Sequence, residues 1–200
     1  DAEVIHMLDL FFTKKMEIPD IKLEINSLGC PICRPKFQSA FLSFLLKNEA
    51  SLCGDCKRRM EKNPLRSLDC KEEGCQNITN GAPSIQEFLC EVCEKDFDTV
   101  LETLGQLGTQ YQINQKIVRG LDYYQKTTFE FTSTALGAQN AVAGGGRYDG
   151  LVRLMGGPNV PGLGFAIGLE RLVETLQTVR QISPTRAGVF IAPIGDHALK

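Results

Sequence analysis

The chain has 200 residues, which is enough for one hydrophobic core, or for one core and a small satellite. Its hydrophobic content of 42% and charged content of 23% are typical of a soluble globular protein. Because it has no run of 18 apolar residues and no signal peptide at its start, we expect a cytoplasmic protein without a membrane span. A net charge of −2 argues against a protein that binds nucleic acid mainly through a global positive field.

The first 29 residues combine a helix and a strand. Five apolar residues recur at helical spacing: Val4, Met7, Leu8, Phe11 and Phe12. Ile21, Leu23 and Ile25 then alternate with polar residues, as in a strand with one buried face. A helix followed by such a strand predicts an α+β fold with an antiparallel sheet.

Residues 30–97 form a segment with a different character, rich in cysteine and mainly helical in pattern. Phe37, Phe41 and Leu45 share one helical stripe, and residues 55–62 predict a second short helix. A third helix is predicted around Phe97 and Leu104, whereas residues 63–84 are rich in Asn, Gly and Pro and are predicted to be a loop. We interpret residues 30–97 as an insertion.

The insertion holds all eight cysteines of the chain, in four pairs. The pairs are Cys30 and Cys33, Cys53 and Cys56, Cys70 and Cys75, and Cys90 and Cys93. Two close pairs can place four thiolates about 2.3 Å from one zinc ion, so four pairs predict two structural zinc sites. The pairs can combine sequentially, first with second and third with fourth, or interleaved, first with third and second with fourth. Disulfides, an iron–sulfur cluster and free thiols are the alternatives to zinc.

After the insertion the strand pattern returns. Phe129 and Phe131 flank Glu130 in an alternating run, and a second run leads into three glycines at 144–146. Residues 168–178 predict a helix with four apolar residues facing inward: Leu169, Leu172, Val173 and Leu176. The apolar run at 189–192 predicts a strand buried on both faces, the start of another α/β unit.

Three glycine- and tyrosine-rich stretches in the second half carry a family resemblance. Residues 117–124 (IVRGLDYY) and 143–151 (AGGGRYDGL) resemble the two histidine motifs of the histidyl-tRNA synthetases. Residues 162–172 (GLGFAIGLERL) are similar to motif 3 of the class II synthetases. The layout of NSLG at 26–29, DCKRRM at 55–60 and NPLR at 63–66 resembles the insertion between motifs 2 and 3 of bacterial members.

The resemblance implies the class II catalytic fold and a division of the chain. Residues 1–29 and 98–182 would belong to the catalytic core, residues 30–97 to the insertion, and residues 187–200 to the start of the anticodon-binding domain. Motifs 1 and 2 have no match here, and the chain begins at Asp1, so we expect an internal fragment that is inactive alone. The parent would be a homodimer, since motif 1 builds the family's dimer interface.

The resemblance also implies an activity and its residues. The parent would activate histidine with ATP and Mg²⁺ to histidyl-adenylate and transfer the histidyl group to tRNA(His). Arg119 would bind the α-phosphate and the histidine carboxylate, and Arg171 would hold ATP. When the carboxylate attacks the α-phosphate, negative charge builds up between these two anions, and fixed guanidinium groups stabilise it. The residues expected to bind substrate are Tyr123, Tyr124, Tyr148, Gly145 and Gly146. Glu130 receives no role.

Two alternatives remain at this point. One is the paralogous regulatory subunit of histidine biosynthesis, although a regulator would not need the substrate arginine in the run at 119–124. The other is a zinc-dependent RNA- or protein-binding module, in which the insertion is the working part. Its cations, Lys57, Arg58, Arg59, Lys62 and Arg66, would then contact RNA phosphates, or they would form an ordinary solvated helix face.

Overall fold

The computed structural model of the chain describes residues 1–118, 123–137 and 140–180. The helices are α1 (Ala2–Leu10), α2 (Cys33–Lys47), α3 (Gly54–Lys62), α4 (Glu73–Thr79), α5 (Glu91–Gln106), α6 (Leu151–Leu154) and α7 (Leu169–Val179). The strands are β1 (Ile21–Ser27), β2 (Gln112–Ile113), β3 (Gln125–Ser133), β4 (Ala141–Arg147) and β5 (Leu163–Ile167). In the described part of the chain, every helix is too short or too polar to cross a membrane.

The five strands form one sheet in the order β2-β1-β3-β4-β5. The pairs β1–β3, β3–β4 and β4–β5 are antiparallel, as predicted, but the short β2 runs parallel to β1. The sheet is therefore mixed and not purely antiparallel. The reason is α5, which packs against α1 and β3 and returns the chain so that β2 enters in the direction of β1.

The main core lies on one face of this sheet, under α1, α5 and α7. Its largest fully buried side chains include Phe12, Phe129 and Phe131, each of which contributes about 1.5–3 kcal/mol by leaving water. The predicted strand around Glu130 is confirmed as β3, and the predicted helix at 168–178 as α7.

Two details of the predicted helical stripes are wrong. In α1, Ile5 is fully buried whereas Met7 is half exposed, because the face that packs on the sheet runs through Ile5, Leu8 and Phe12. In α7, Leu172 is buried, but Leu169 is 67% exposed and Val173 is 41% exposed. In the described part of the chain, α7 packs mainly on β4 and on the 3-10 turn after β3, which leaves part of the predicted stripe uncovered.

The insertion has a second, separate apolar cluster built from α2, α3 and short 3-10 turns. The predicted loop at 63–84 is wrong, since this stretch contains a 3-10 helix at Pro64–Asp69 and α4. Leu65 and Leu68 are buried there, which gives a segment rich in turn residues enough apolar area to pack. The expected boundary at residue 97 falls inside α5, which runs without a break from the insertion into the main core. The predicted strand at 189–192 and the segment 187–200 lie outside the described residues.

Candidate substrate pocket and thiolate clusters

The sheet face opposite the main core carries polar residues and glycines in two neighbouring rows. The strand register gives the first row as Asn26, Thr128, Gly146 and Gly164. The second row is Glu24, Glu130, Gly144 and Ala166. Side chains alternate between the faces of a sheet, so the intervening Phe129 and Phe131 point into the core and both rows face away from it.

Three tyrosines that the sequence indicates as pocket residues cluster over the first row. The ring centroids of Tyr123 and Tyr124 are 4.8 Å apart, and that of Tyr148 lies 6.2 and 6.3 Å from them. A Cβ on Gly146 would lie 3.1 Å from Cδ1 of Tyr124, and one on Gly164 would lie 2.7 Å from the Tyr148 hydroxyl. The rings can therefore approach the sheet because these positions carry no side chain.

Gly145 faces the other way. A Cβ there would lie 2.8 Å from Cζ of Phe129 and 2.2 Å from the carbonyl oxygen of Gly164. The structure thus gives Gly145 a packing role in the main core. Its part in substrate binding stays a prediction.

Two carboxylates that sequence reasoning did not assign lie on the same face as the tyrosines. Glu24 and Glu130 are direct cross-strand partners, and like charges in that position repel each other. The side-chain amide of Asn114 donates to Oε2 of Glu24 at 2.6 Å. Both glutamates and Lys116 line a cavity of about 480 Å³ between the sheet and the insertion. In the sequence, these glutamates occupy alternate polar positions of two strands. This pattern predicts a solvent-exposed sheet face but does not indicate a binding site.

Of the two arginines predicted to bind substrate, the structure describes only Arg171. Arg119 lies outside the described residues. Arg171, near the start of α7, donates from Nη1 to the carbonyl oxygen of Ala141 at 2.8 Å. Ala141 begins β4 and Tyr148 follows its end, so the structure does not bring Arg171 to the tyrosines. Arg147 in the second histidine motif is held by Asp1 and Asp149, with N–O distances of 2.6 and 2.8 Å.

The first thiolate cluster lies where the insertion leaves and rejoins the core. Its four Sγ atoms all lie within 4.8 Å of one another and belong to Cys30, Cys33, Cys90 and Cys93. The Sγ atoms of Cys30 and Cys33 are 3.6 Å apart, much farther than the roughly 2.05 Å of a disulfide. The backbone N–H of Cys90 donates to Sγ of Cys33 at 3.1 Å, which ties the starts of α2 and α5 together. This cluster can hold a metal ion.

The second cluster lies inside the insertion, between α3 and α4. Its Sγ atoms, again within 4.8 Å of one another, belong to Cys53, Cys56, Cys70 and Cys75. Sγ of Cys53 is 3.8 Å from Sγ of Cys70, and the backbone N–H of Cys53 donates to Sγ of Cys75 at 3.3 Å. Cys53 is also the N-cap of α3, since its sulfur accepts from the N–H of Cys56. All four residues are thus arranged around one point that can hold a metal ion.

Several thiols have perturbed pKa values. Burial opposes ionisation of Cys30, but the amide N–H groups of Ile32 and Cys33 outweigh it and lower the pKa of that thiol to about 7. The amide N–H of Cys56 is the main cause that lowers the pKa of the Cys53 thiol to about 7. Burial raises the pKa of four other thiols: Cys33, Cys56, Cys75 and Cys93. Each cluster therefore combines at least one thiol of lowered pKa with two thiols of raised pKa.

The pairing of the cysteines differs from both expected arrangements. The first pair in sequence joins the fourth, and the second joins the third, so the two clusters are nested. The physical reason is that the insertion folds back on itself. β1 and α5 belong to the same core, so the ends of the insertion meet, and the inner pairs remain within it.

The cationic run of the insertion lies on and beside α3. Arg58, Lys62 and Arg66 are exposed around an open cavity of about 720 Å³, which Asp55 and Glu61 also line. Arg58 pairs with Asp55, which reduces the positive charge of this face. The surface has room for a phosphate backbone, but some of its cations already form ion pairs with neighbouring carboxylates, as Arg58 does with Asp55.

Comparisons with known proteins agree with this architecture. A family model described as "Histidyl-tRNA synthetase" matches residues 70–172. Over 200 residues the chain is 50% identical to the histidine–tRNA ligase of Desulfatibacillum aliphaticivorans. The alignment covers 100% of this chain and 48% of that protein. The chain is also 50% identical to the histidine–tRNA ligase of Thermodesulfovibrio yellowstonii, covering 47% of that protein.

A solved structure extends the likeness to three dimensions. The crystal structure of apo S. aureus histidyl-tRNA synthetase superposes with a TM-score of 0.68 at 32% identity, covering 92% of this chain and 45% of that one. The chain thus spans about half the length of the curated relatives that it matches. With a family model that matches more than half of its residues, this chain belongs to the histidyl-tRNA synthetase family.

Proposed function

We propose that the protein containing this chain is a histidine–tRNA ligase. A carboxylate oxygen of histidine attacks the α-phosphorus of ATP, the bond to pyrophosphate breaks, and histidyl-adenylate forms. A terminal hydroxyl of tRNA(His) then attacks the acyl carbon and AMP leaves. The observation that carries the proposal is the tyrosine cluster over a glycine floor, beside two carboxylates, in a chain about 50% identical to proteins named for this activity.

The pocket residues complement the three charged or polar parts of histidine. Tyr124 and Tyr148 offer aromatic walls and hydroxyl groups that can bond an imidazole nitrogen. Glu24 and Glu130 lie one row away and can accept from the α-ammonium group, which would also relieve their mutual repulsion. Arg119 would bind the histidine carboxylate and the α-phosphate of ATP, as the family resemblance implies.

The remaining parts of the proposal concern ATP, tRNA and assembly. Arg171 near the start of α7 would bind ATP, and Mg²⁺, when bound, would neutralise its phosphates. The exposed cations beside α3 are suited to tRNA phosphates. The parent would work as a homodimer in the cytoplasm, where free thiols persist. The names of the curated relatives support a ligase over the regulatory subunit.

We further propose that each thiolate cluster holds one structural zinc. Ligands at about 2.3 Å in a tetrahedron are separated by about 3.8 Å, which agrees with the Sγ–Sγ distances of 3.6 and 3.8 Å. Four thiolates complete the coordination and leave no position for water or substrate, so this zinc would contribute to folding and not to the reaction.

The ligase proposal can be tested in a chimaera. This chain would replace the matching 48% of the Desulfatibacillum aliphaticivorans relative, and histidine-dependent ATP–pyrophosphate exchange would be measured beside the unmodified relative. Exchange with histidine, and none with other amino acids, is the expected result. A chimaera that folds, as judged by its melting curve, but gives no histidine-dependent exchange would contradict the proposal.

A further inference from the structure

The base of the tyrosine pocket is joined to the point where the insertion begins. After β1 ends, the backbone N–H of Leu28 donates to the carbonyl of Lys126 at 2.7 Å, and that of Lys126 donates to Gly29 at 2.8 Å. Lys126 adopts a left-handed conformation with φ of 53°, and the β3–β4 register shifts beside it. A strained backbone of this kind persists only when its surroundings hold it.

Arg34 reaches this segment from the insertion. It is the second residue of α2, and its Nη1 donates to the carbonyl oxygen of Tyr124 at 3.1 Å, across 90 residues of sequence. Arg34 also lines a cavity of about 380 Å³ together with Tyr123 and Tyr124. A guanidinium donor on that carbonyl restrains the peptide that follows Tyr124, and with it the backbone from which the tyrosine ring projects.

The first thiolate cluster anchors the start of α2. The backbone N–H groups of Cys33 and Arg34 both donate to the carbonyl of Cys30, at 3.1 and 3.0 Å. Sγ of Cys33 accepts from the N–H of Cys90 at the start of α5. On the other side, Nζ of Lys126 pairs with Asp96 of α5 at 2.8 Å. The cluster, Arg34 and the pocket therefore form one connected set of contacts.

We propose that Arg34 is a positioning residue, which transmits the rigidity of the first thiolate cluster to Tyr124 and thereby sets the histidine pocket. The role in histidine binding rests on the proposed function, since it requires that Tyr124 contacts histidine. The mechanical part does not: Arg34 holds the backbone at 124–126 in any case.

The mechanical part is tested on the chain itself by amide hydrogen exchange. Arg34→Ala should accelerate exchange of the Lys126 amide about tenfold, the effect expected when one hydrogen bond to a charged group is lost. The Tyr148 amide, bonded to Gly162 at 2.7 Å, serves as an internal reference and should not change. Lys36→Ala, an exposed site on the same helix with the same loss of charge, should leave both amides as in the unmodified chain. Removal of metal by a chelator should reproduce the Arg34→Ala result.

The functional part is tested in the chimaera. Arg34→Ala should raise KM for histidine about tenfold with KM for ATP and kcat unchanged, and Arg34→Lys, which keeps a charged donor, should restore part of the loss. Unchanged exchange at Lys126, or faster exchange without any change in KM for histidine, would overturn the proposal. If the unsubstituted chimaera is inactive, the proposed function fails, and the exchange data alone decide whether Arg34 holds the pocket backbone.

Discussion

At the scale of single residues, the candidate pocket depends on glycines that serve opposite faces of one strand. Gly146 leaves room for Tyr124 on the open face, and Gly145 leaves room for Phe129 in the core. The sequence predicts that this glycine run lies at the substrate site. A run of glycines has no alternating side-chain pattern, however, so it does not indicate which face of the strand each glycine lies on. Which face each one serves follows only from the register of β4 against β3 and β5.

Gly145→Ala should lower the free energy of unfolding by about 1–3 kcal/mol, because the added Cβ would collide with Phe129 and with the backbone of Gly164. Gly105→Ala is the matched control: it lies in α5 with open space around it and should stabilise by about 0.4–1 kcal/mol. Urea unfolding of both variants measures the two effects. A Gly145→Ala chain as stable as the unmodified one would refute this packing role.

Glu130→Gln should raise KM for histidine in the chimaera by roughly 10–100-fold, because a neutral amide replaces the proposed partner of the ammonium group. Glu102→Gln, on the exposed side of α5, removes the same charge away from the pocket and should have no effect. Steady-state exchange kinetics at varied histidine measure both. Equal KM values for the two variants would remove Glu130 from the pocket.

At the scale of elements, the insertion is built around its sulfur atoms. α2 and α3 begin at or next to thiols, and α4 and α5 carry thiols in their first turns or just before them. Backbone N–H groups at a helix start stabilise negative charge, which lowers the pKa of the thiols just before α2 and α3, Cys30 and Cys53. This placement ties the starts of all four helices to the two thiolate clusters.

Zinc affinity should rise with pH, because the cysteine thiols must lose their protons to bind the metal. Each cluster has two thiols with raised pKa, which must lose protons when metal binds, so zinc affinity should increase by at least about two decades per pH unit near neutrality. Below pH 7 the Cys30 and Cys53 thiols also become protonated and the dependence steepens. Competition with a chromophoric chelator between pH 6 and 8 measures it. An affinity independent of pH would exclude thiolate ligation.

At the scale of the whole molecule, one helix, α5, links the first thiolate cluster to the sheet core. The sheet core and the insertion core are separate, and α5 runs from the first thiolate cluster into the sheet core. Stability need not be uniform across such an arrangement. Both clusters that can hold a metal ion lie within the insertion or at its ends.

Chelation should therefore unfold the insertion and leave the sheet. Amide protection should be lost at Phe41 and Leu45 of α2 and retained at Phe129 and Phe131 of β3. Hydrogen exchange of the chain before and after metal removal measures both sets, and zinc added back should restore the first. Loss of protection in both sets together would show a single cooperative unit.

The sequence was informative where a pattern is local. Alternation around Glu130 predicts β3, and the stripe of Phe37, Phe41 and Leu45 predicts α2. It was not informative where contacts join distant segments. Arg34 bonds a backbone carbonyl 90 residues away, a contact that leaves no spacing to detect. The parallel β2 and the nested cysteine pairs likewise depend on how α5 returns the chain.

The measurement that tests this account most directly is zinc content per chain in double cysteine variants. The unmodified chain should contain about two zinc ions. Cys33→Ser with Cys93→Ser should leave one, because both residues belong to the first cluster, whereas Cys33→Ser with Cys53→Ser should leave none. The reverse outcome, one zinc with the second combination and none with the first, would mean sequential pairing. No zinc in the unmodified chain would contradict the metal-held insertion altogether.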